Sequence, residues 1–198
     1  MNPIDSILHD LDLNGFDGQG GTDKGTTHTY TGVYDRLFNA RRQEPLHLME
    51  IGIYHGGSAA LWCKYFPNST FTLVDTHDQI GPKARPHIDM DRATIIWADA
   101  YAGGVVPAKG IDILIDDGPH SLWSQQMAIS LYGPMMRPGG IMVIEDIADA
   151  SYIDTLLEQV PIGVTTQYYW GNISQRHDDR MLILTWPSTT SASTDEAR

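Results

Sequence analysis

The chain is poor in cysteine, in basic residues and in long apolar runs, and each shortage argues against a class of protein. Its single cysteine, Cys63, excludes an intrachain disulfide and favours a reducing compartment. Only 13 Lys and Arg stand against 25 Asp and Glu, and the net charge of −12 disfavours nucleic acid as a partner. No run of about 18 apolar residues occurs and the N-terminus lacks a basic stretch, so we expect neither a membrane span nor a secretory signal. These shortages predict a cytoplasmic protein with a small-molecule partner.

Apolar strand-like and helix-like segments alternate through most of the 198 residues. The predicted strands are 46–51, 70–74, 94–97, 111–115, 141–144, 164–169 and 180–186, with helices at 30–38, 59–66, 121–132 and 153–160. Residues 76–92 carry no clear periodicity, and 137–140 are predicted to be a turn. Alternation of this kind favours an α/β fold with a mostly parallel sheet and helices on both faces. The two final strands predict an antiparallel edge.

The chain shows no internal repeat and no linker, so residues 1–186 are predicted to form a single domain. Residues 187–198 are rich in Ser and Thr and are predicted to be disordered. Tyr30 and Tyr34 lie on the apolar stripe of the first predicted helix, which indicates core packing. His28 lies in a loop and receives no role from the pattern.

Two strand-like runs end in carboxylates, Asp116-Asp117 and Glu145-Asp146. Since the carboxyl ends of parallel strands meet at one edge of a sheet, we expect Asp117, Glu145 and Asp146 to converge on a divalent cation such as Mg²⁺. His120, three residues after Asp117, would face the same point as a base. Asp116 is the competing ligand, because adjacent residues at a strand end point to opposite sides. If Asp117 is the ligand, Asp116 would face the cofactor or cap the next helix.

A glycine-containing turn, residues 50–58, follows the first strand and opens a helix, a place where backbone can approach a ligand. Asp75 follows the second strand, where a carboxylate can accept from ribose hydroxyls, and Asp99 follows the third, where it can accept from an adenine amine. The turn matches neither GxGxxG nor GK[ST], which argues against a nicotinamide oxidoreductase and a P-loop protein.

Together these segments resemble class I S-adenosylmethionine-dependent methyltransferases of the metal-dependent O-methyltransferase type. The turn at 50–58 is similar to the cofactor motif of catechol O-methyltransferase. The Gly-Thr-Asp-Lys-Gly of 21–25, Glu-Ile-Gly of 50–52, Asp-Asp-Gly-Pro-His of 116–120 and Ile-Glu-Asp of 144–146 resemble segments of macrolide-sugar and rhamnosyl O-methyltransferases and their cephalosporin-hydroxylase-like relatives. Pro119 departs from the usual serine. The resemblance implies a Rossmann-like doubly wound sheet of seven strands, with 1–25 as an N-terminal segment and cofactor-covering loop.

The resemblance also implies the site. Asp117, Glu145 and Asp146 would be the metal ligands and His120 the base. The cofactor contacts would be Thr22, Lys24, Glu50, Gly52, Tyr54, Ser58, Asp75, Asp99 and Asp116.

The activity implied is O-methylation of a hydroxyl on a small molecule, a sugar or another vicinal-oxygen acceptor, with S-adenosylmethionine and Mg²⁺ or another divalent cation. The alternative is a non-methylating metal-binding protein on the same scaffold, of the cephalosporin-hydroxylase-associated type. A nucleic-acid methyltransferase is disfavoured by the charge of −12 and by Asp-Asp-Gly-Pro-His where DNA amino methylases carry Pro-Pro-aromatic. Enzymes of this type often assemble as homo-oligomers, and the residues leave the acceptor and the oligomeric state open.

Overall fold

The computed structural model describes residues 2–104, 110–172 and 175–188, so most of the segment predicted to be disordered, from 189 onward, lies outside it. The strands are β1 (His47–Ile51), β2 (Thr70–Asp75), β3 (Ala93–Trp97), β4 (Ile111–Asp116), β5 (Met136–Ile144), β6 (Thr165–Trp170) and β7 (Arg180–Thr185). The α-helices are α1 (Pro3–Asp10), α2 (Thr31–Phe38), α3 (Gly57–Tyr65), α4 (Leu122–Tyr132) and α5 (Tyr152–Leu157).

Within the described residues the strands form one seven-stranded sheet in the order β3-β2-β1-β4-β5-β7-β6. Strands β1 to β5 are parallel, and β7 runs antiparallel to both of its neighbours. The predicted mostly parallel, doubly wound sheet with an antiparallel edge is therefore confirmed, with the reversed strand one position inside the edge strand β6. The strand order changes direction between β1 and β4, which opens a crevice at their carboxyl ends, where ligands bind in sheets of this kind.

The sheet is buried on both faces, as expected for parallel strands covered by helices. Leu48 and Ile113 pack under α1, α2 and α3, whereas Met49 and Leu114 pack under α4 and α5. This alternation follows from the two-residue period of a strand, and every residue of β4 is buried. None of the helices in the described ranges combines the length and apolarity needed to cross a bilayer.

Two local features differ from the sequence-based expectations. Residues 137–140, predicted to be a turn, belong to β5, so that prediction is wrong. Met136 pairs with Ile111 of β4 and Ile141 pairs with Ile113, so this Pro- and Gly-rich stretch bulges from the ladder between them, where the register shifts. Helix α1 was not predicted, although Asn2 caps it by accepting from the backbone N–H of Asp5.

The ends of β1 and β4 approach closely at Gly52, which has a φ of +83°. A Cβ added there would overlap the carbonyl oxygen of Asp117. The turn therefore needs glycine both for its left-handed backbone and for the space that it leaves at the base of the crevice.

We expect Gly52→Ala to lower the free energy of unfolding by about 2–5 kcal/mol, the sum of left-handed strain and overpacking. Gly163→Ala is the matched control, because its φ is +89° and no atom lies within 4 Å of the added Cβ. It should cost only the strain, about 1–2 kcal/mol. Urea unfolding of both variants tests the difference, and equal losses would contradict the close approach.

Candidate active site

A cavity of about 490 Å³ opens at the carboxyl ends of β1, β2, β3 and β4. Its volume is in the range of small-molecule sites. Of the residues predicted to contact a cofactor, the following line it: Thr22, Gly52, Tyr54, Ser58, Asp75 and Asp99. The other three, Lys24, Glu50 and Asp116, are buried behind its wall. The sequence motifs therefore meet in one cavity, with some of their side chains pointing away from it.

The glycine turn shapes the floor of this cavity. Gly56 lies at the N-terminus of α3 with a φ of +82°. A Cβ at Gly57 would overlap the backbone of Gly21 and approach that of Thr22. The N-terminal segment thus lies directly on the turn. The predicted covering loop and the glycine turn are therefore adjoining parts of the cavity floor.

Asp75 and Asp99 are held rigidly at the rim by backbone donors. The Oδ2 of Asp75 accepts from the N–H of Ile53 at 3.0 Å and of Tyr54 at 2.8 Å. The Oδ1 of Asp99 accepts from the N–H of Tyr101 at 2.8 Å. The Oδ1 of Asp75 accepts from the N–H of Thr76 at 2.7 Å. Because each carboxylate has about four acceptor sites, Oδ1 of Asp75 and the carboxylate of Asp99 can each accept one more hydrogen bond from a ligand.

Aromatic side chains form part of the cavity wall. Trp123 is 58% exposed and packs edge-on against Tyr101, with ring centroids 6.1 Å apart. Phe16, 57% exposed, makes a similar contact with Tyr54 at 5.9 Å. Exposed rings around a cavity suit a ligand with flat apolar surface. No pattern in the sequence marked Phe16 or Tyr101, because their positions depend on how loops fold over the sheet.

Asp117, His120 and Asp146 meet in the wall of the cavity, and each offers a ligand atom within 4.8 Å of the others. The Nε2 of His120 lies 3.9 Å from Asp117 Oδ1 and 3.8 Å from Asp146 Oδ2. His120 and Asp146 both have left-handed backbone, with φ of +58° and +54°. Ser121 is the N-cap of α4. Such strained positions are typical of functional sites.

Burial and like charge act on the titration of this group. Burial lowers the pKa of His120, although Asp117 opposes the shift. Burial and the charge of Asp117 raise the pKa of Asp146. Two carboxylates sharing a poorly solvated site favour either protonation or a bound cation. The two carboxylates therefore fit a divalent metal ion, with the imidazole of His120 beside it.

Glu145 faces the other side of Asp117, where Lys24 lies between them. The Nζ of Lys24 donates to Asp117 Oδ2 and to Glu145 Oε2, both at 2.6 Å. Burial opposes the charge of Lys24, but these two carboxylates hold its pKa well above the ordinary value. The hydroxyl of Tyr34 donates to the second oxygen of Glu145. The structure thus groups Asp117 and Asp146 with His120, and pairs Glu145 with Lys24.

Asp116 and Glu50 are buried on either side of this group. Tyr101 donates its hydroxyl to Asp116 at 2.5 Å, and burial raises the pKa of Asp116 to about 7. The indole of Trp62 donates to Glu50 at 3.0 Å. Among the two adjacent aspartates, the one beside His120 is Asp117.

The tyrosines of the predicted apolar stripe are fully buried, as the core assignment predicted. Their hydroxyls also reach the site, because Tyr30 donates to Asp146 Oδ1 at 2.7 Å and Tyr34 donates to Glu145. The sequence signal for these contacts was the presence of tyrosine, which carries a hydroxyl, where phenylalanine would also suit the core. Arg176 also lines the cavity and forms a bidentate pair with Asp178.

Sequence relatives include two proteins named as O-methyltransferases. An 8-demethyl-8-(2-methoxy-α-L-rhamnosyl)-tetracenomycin-C 3′-O-methyltransferase of Streptomyces olivaceus is 33% identical over 69% of the chain. A demethylmacrocin O-methyltransferase of Streptomyces fradiae is 31% identical over 62% of the chain. The matches cover 37% and 33% of those proteins, so the chain spans about a third of the length of the relatives that it matches.

Solved structures share the fold. The MycE methyltransferase from mycinamycin biosynthesis, in complex with Mg and SAH, superposes with a TM-score of 0.68 at 21% identity, over 100% of this chain and 58% of that one. A methyltransferase from Pyrococcus furiosus gives 0.65 at 16% identity, over 93% of each chain. At these identities the likeness concerns the fold alone.

A protein family described as a methyltransferase domain matches residues 49–147, half of the chain. The matched region contains the glycine turn, Asp75, Asp99 and the Asp117–His120–Asp146 group. The chain therefore belongs to the methyltransferase-domain family.

Proposed function

We propose that this chain is the catalytic domain of an S-adenosylmethionine-dependent O-methyltransferase acting on a hydroxyl of a small molecule, a sugar or another vicinal-oxygen acceptor. One observation carries the proposal: Asp117, His120 and Asp146 line the same cavity as Asp75 and Asp99. A cofactor in this cavity would therefore have its reacting end beside a base and a pair of carboxylates. The relative named as a rhamnosyl-tetracenomycin-C 3′-O-methyltransferase supports a sugar acceptor.

The cofactor would be held by the groups that the structure fixes at the cavity wall. Asp75 would accept from ribose hydroxyls and Asp99 from the adenine amine. Gly52 and Ser58 would approach the amino-acid end at the N-terminus of α3, where backbone N–H groups favour a carboxylate. The sulfonium supplies an electrophilic methyl group when the cofactor is bound.

A divalent cation such as Mg²⁺ would be held by Asp117 and Asp146, with Glu145 as the third predicted carboxylate ligand. When bound, the ion would lower the pKa of an acceptor hydroxyl and fix its position. Lys24 pairs with both Asp117 and Glu145 and so limits the negative charge at this point.

His120 would take the proton of the acceptor hydroxyl at Nε2, the nitrogen that faces Asp117 and Asp146. Burial lowers its pKa, so its imidazole is neutral, and able to accept a proton, down to a lower pH than an exposed histidine.

We expect S-adenosylhomocysteine to bind with micromolar affinity in calorimetry, and Asp75→Asn to weaken it about tenfold to a hundredfold. The reason is the loss of a charge-assisted hydrogen bond of about 1.5–3 kcal/mol, where 1.4 kcal/mol is about tenfold. Asp78→Asn is the control, because Asp78 is an exposed partner of Arg85. Failure of the unaltered protein to bind would overturn the methyltransferase proposal and leave the metal-binding alternative.

We expect EDTA to abolish transfer of a labelled methyl group in a screen of sugars and catechols, and Mg²⁺ to restore it. Asp117→Asn should weaken Mn²⁺ binding, followed by electron paramagnetic resonance, by at least about tenfold. Asp116→Asn should bind Mn²⁺ nearly as well as the unaltered protein, because Asp116 lies away from His120. If Asp116→Asn weakened Mn²⁺ binding more than Asp117→Asn did, Asp116 would be the ligand.

With an acceptor from that screen, His120→Asn should lower kcat by about 10²–10⁴-fold, the usual contribution of a general base. Asparagine tolerates left-handed backbone, so the local conformation should persist. His55→Asn, at another histidine lining the cavity, is the control. A parallel loss of Mn²⁺ affinity in His120→Asn would show that His120 acts as a ligand instead of a base.

A further inference from the structure

His28 is buried among carboxylates that belong to three parts of the chain. Its side chain is 1% exposed, and its ring stacks on Tyr30 with centroids 4.7 Å apart. Nε2 lies 3.4 Å from Asp146 Oδ2 and 3.6 Å from Asp23 Oδ2, whereas Nδ1 lies 3.5 Å from Asp179 Oδ1. Both ring nitrogens therefore face carboxylate oxygens.

Neither ring nitrogen of His28 makes a hydrogen bond of good geometry within the described residues. Buried polar atoms without partners are costly, and each one in a folded protein calls for an explanation. An apolar side chain would pack against Tyr30 without that cost. The role of the imidazole therefore lies in its two ring nitrogens, which face the surrounding carboxylates.

Residues 28 and 30 supply the contacts that orient the carboxylate of Asp146. Tyr30 donates to its Oδ1 at 2.7 Å, and His28 faces its Oδ2. The nearby carboxylate of Asp117 repels Asp146, since it raises the pKa of that group. A contact with an N–H of His28 would favour the orientation in which Oδ2 stays beside His120.

Asp179 fixes the position of His28 from the opposite side. It is fully buried and accepts from the N–H of Thr29 at 3.1 Å and from its hydroxyl at 2.8 Å. Thr29, the residue next to His28, is thus hydrogen-bonded to the residue that precedes β7. The imidazole has little freedom to follow Asp146 if that carboxylate turns.

We propose that His28 is a positioning residue that holds the Asp146 carboxylate facing His120 and Asp117, and thereby raises the affinity of this group for a divalent cation. The inference deepens the proposed function and rests on its metal site. His28 does not touch the reacting atoms in this role, because Asp146 lies between it and His120. Partners of ligating carboxylates typically change metal affinity by about 10–100-fold when they are removed.

The test is a Mn²⁺ titration, followed by electron paramagnetic resonance, of the whole chain and its His28 variants. His28→Leu should weaken Mn²⁺ binding by about tenfold or more. His28→Gln should recover part of the affinity, because its amide N–H₂ can reach the place of Nε2. The affinity for S-adenosylhomocysteine in calorimetry should stay within about twofold, since Asp75 and Asp99 are unchanged; a general loss of structure would lower both affinities.

His47→Leu is the matched control, because His47 is a half-buried histidine at the start of β1, bonded to Thr72 at 2.9 Å and remote from the cavity. It should leave Mn²⁺ affinity unchanged. If His28→Leu does not fold, the comparison of His28→Gln with His28→Asn decides, since the shorter amide cannot reach Asp146. Equal Mn²⁺ affinities for Gln and Asn, or unaltered affinity in a folded His28→Leu, would overturn the inference and leave the proposed function standing. Absence of Mn²⁺ binding in the unaltered chain would overturn both this inference and the proposed metal site.

Discussion

The arrangement of the site depends on the two ion pairs of the buried Lys24 ammonium. The ammonium lies 2.6 Å from both Asp117 and Glu145, which follow the neighbouring strands β4 and β5. Two carboxylates so close in a poorly solvated interior would otherwise repel, and one would be protonated or turn toward water. Because the ammonium comes from the N-terminal segment, the same ion pair joins that segment to the ends of the central strands.

The N-terminal segment is for this reason part of the site as well as its cover. The stretch 24–34, which runs from this segment into α2, supplies Lys24 to Glu145, Tyr30 to Asp146 and Tyr34 to Glu145. Each of these donors is buried. Asp146 also lines the cavity, whereas both oxygens of Glu145 accept from Lys24 and Tyr34. The charge balance of the acidic cluster and the folding of the segment over the sheet therefore depend on each other.

Much of the fold could be predicted from the sequence because periodicity and strand-end chemistry are local properties. The apolar runs that end at Asp75, Asp117 and Asp146 predicted parallel strands whose carboxyl ends meet, and the sheet order places them there. The stretch 137–140 was misassigned because its Gly and Pro are typical of turns. The pairing of Met136 and Ile141 with the distant strand β4, which encloses the stretch within β5, is invisible in local sequence. Helix α1 was missed although its signals are local, since Asn2 is its N-cap and Ile4, Ile7 and Leu8 form a buried stripe at helical spacing.

The sequence by itself determined the α/β alternation, the glycine turn and the set of acidic residues at the strand ends, since spacing and residue type specify them. Only the tertiary structure decided the partners of each carboxylate: Lys24 for Glu145, Tyr101 for Asp116, and His120 and Tyr30 for Asp146. These contacts join residues far apart in sequence, and a buried charge takes its partner from whichever donors the packed helices and loops bring within reach. The orientation of an acid at a strand end therefore belongs to the fold, whereas its presence there belongs to the sequence.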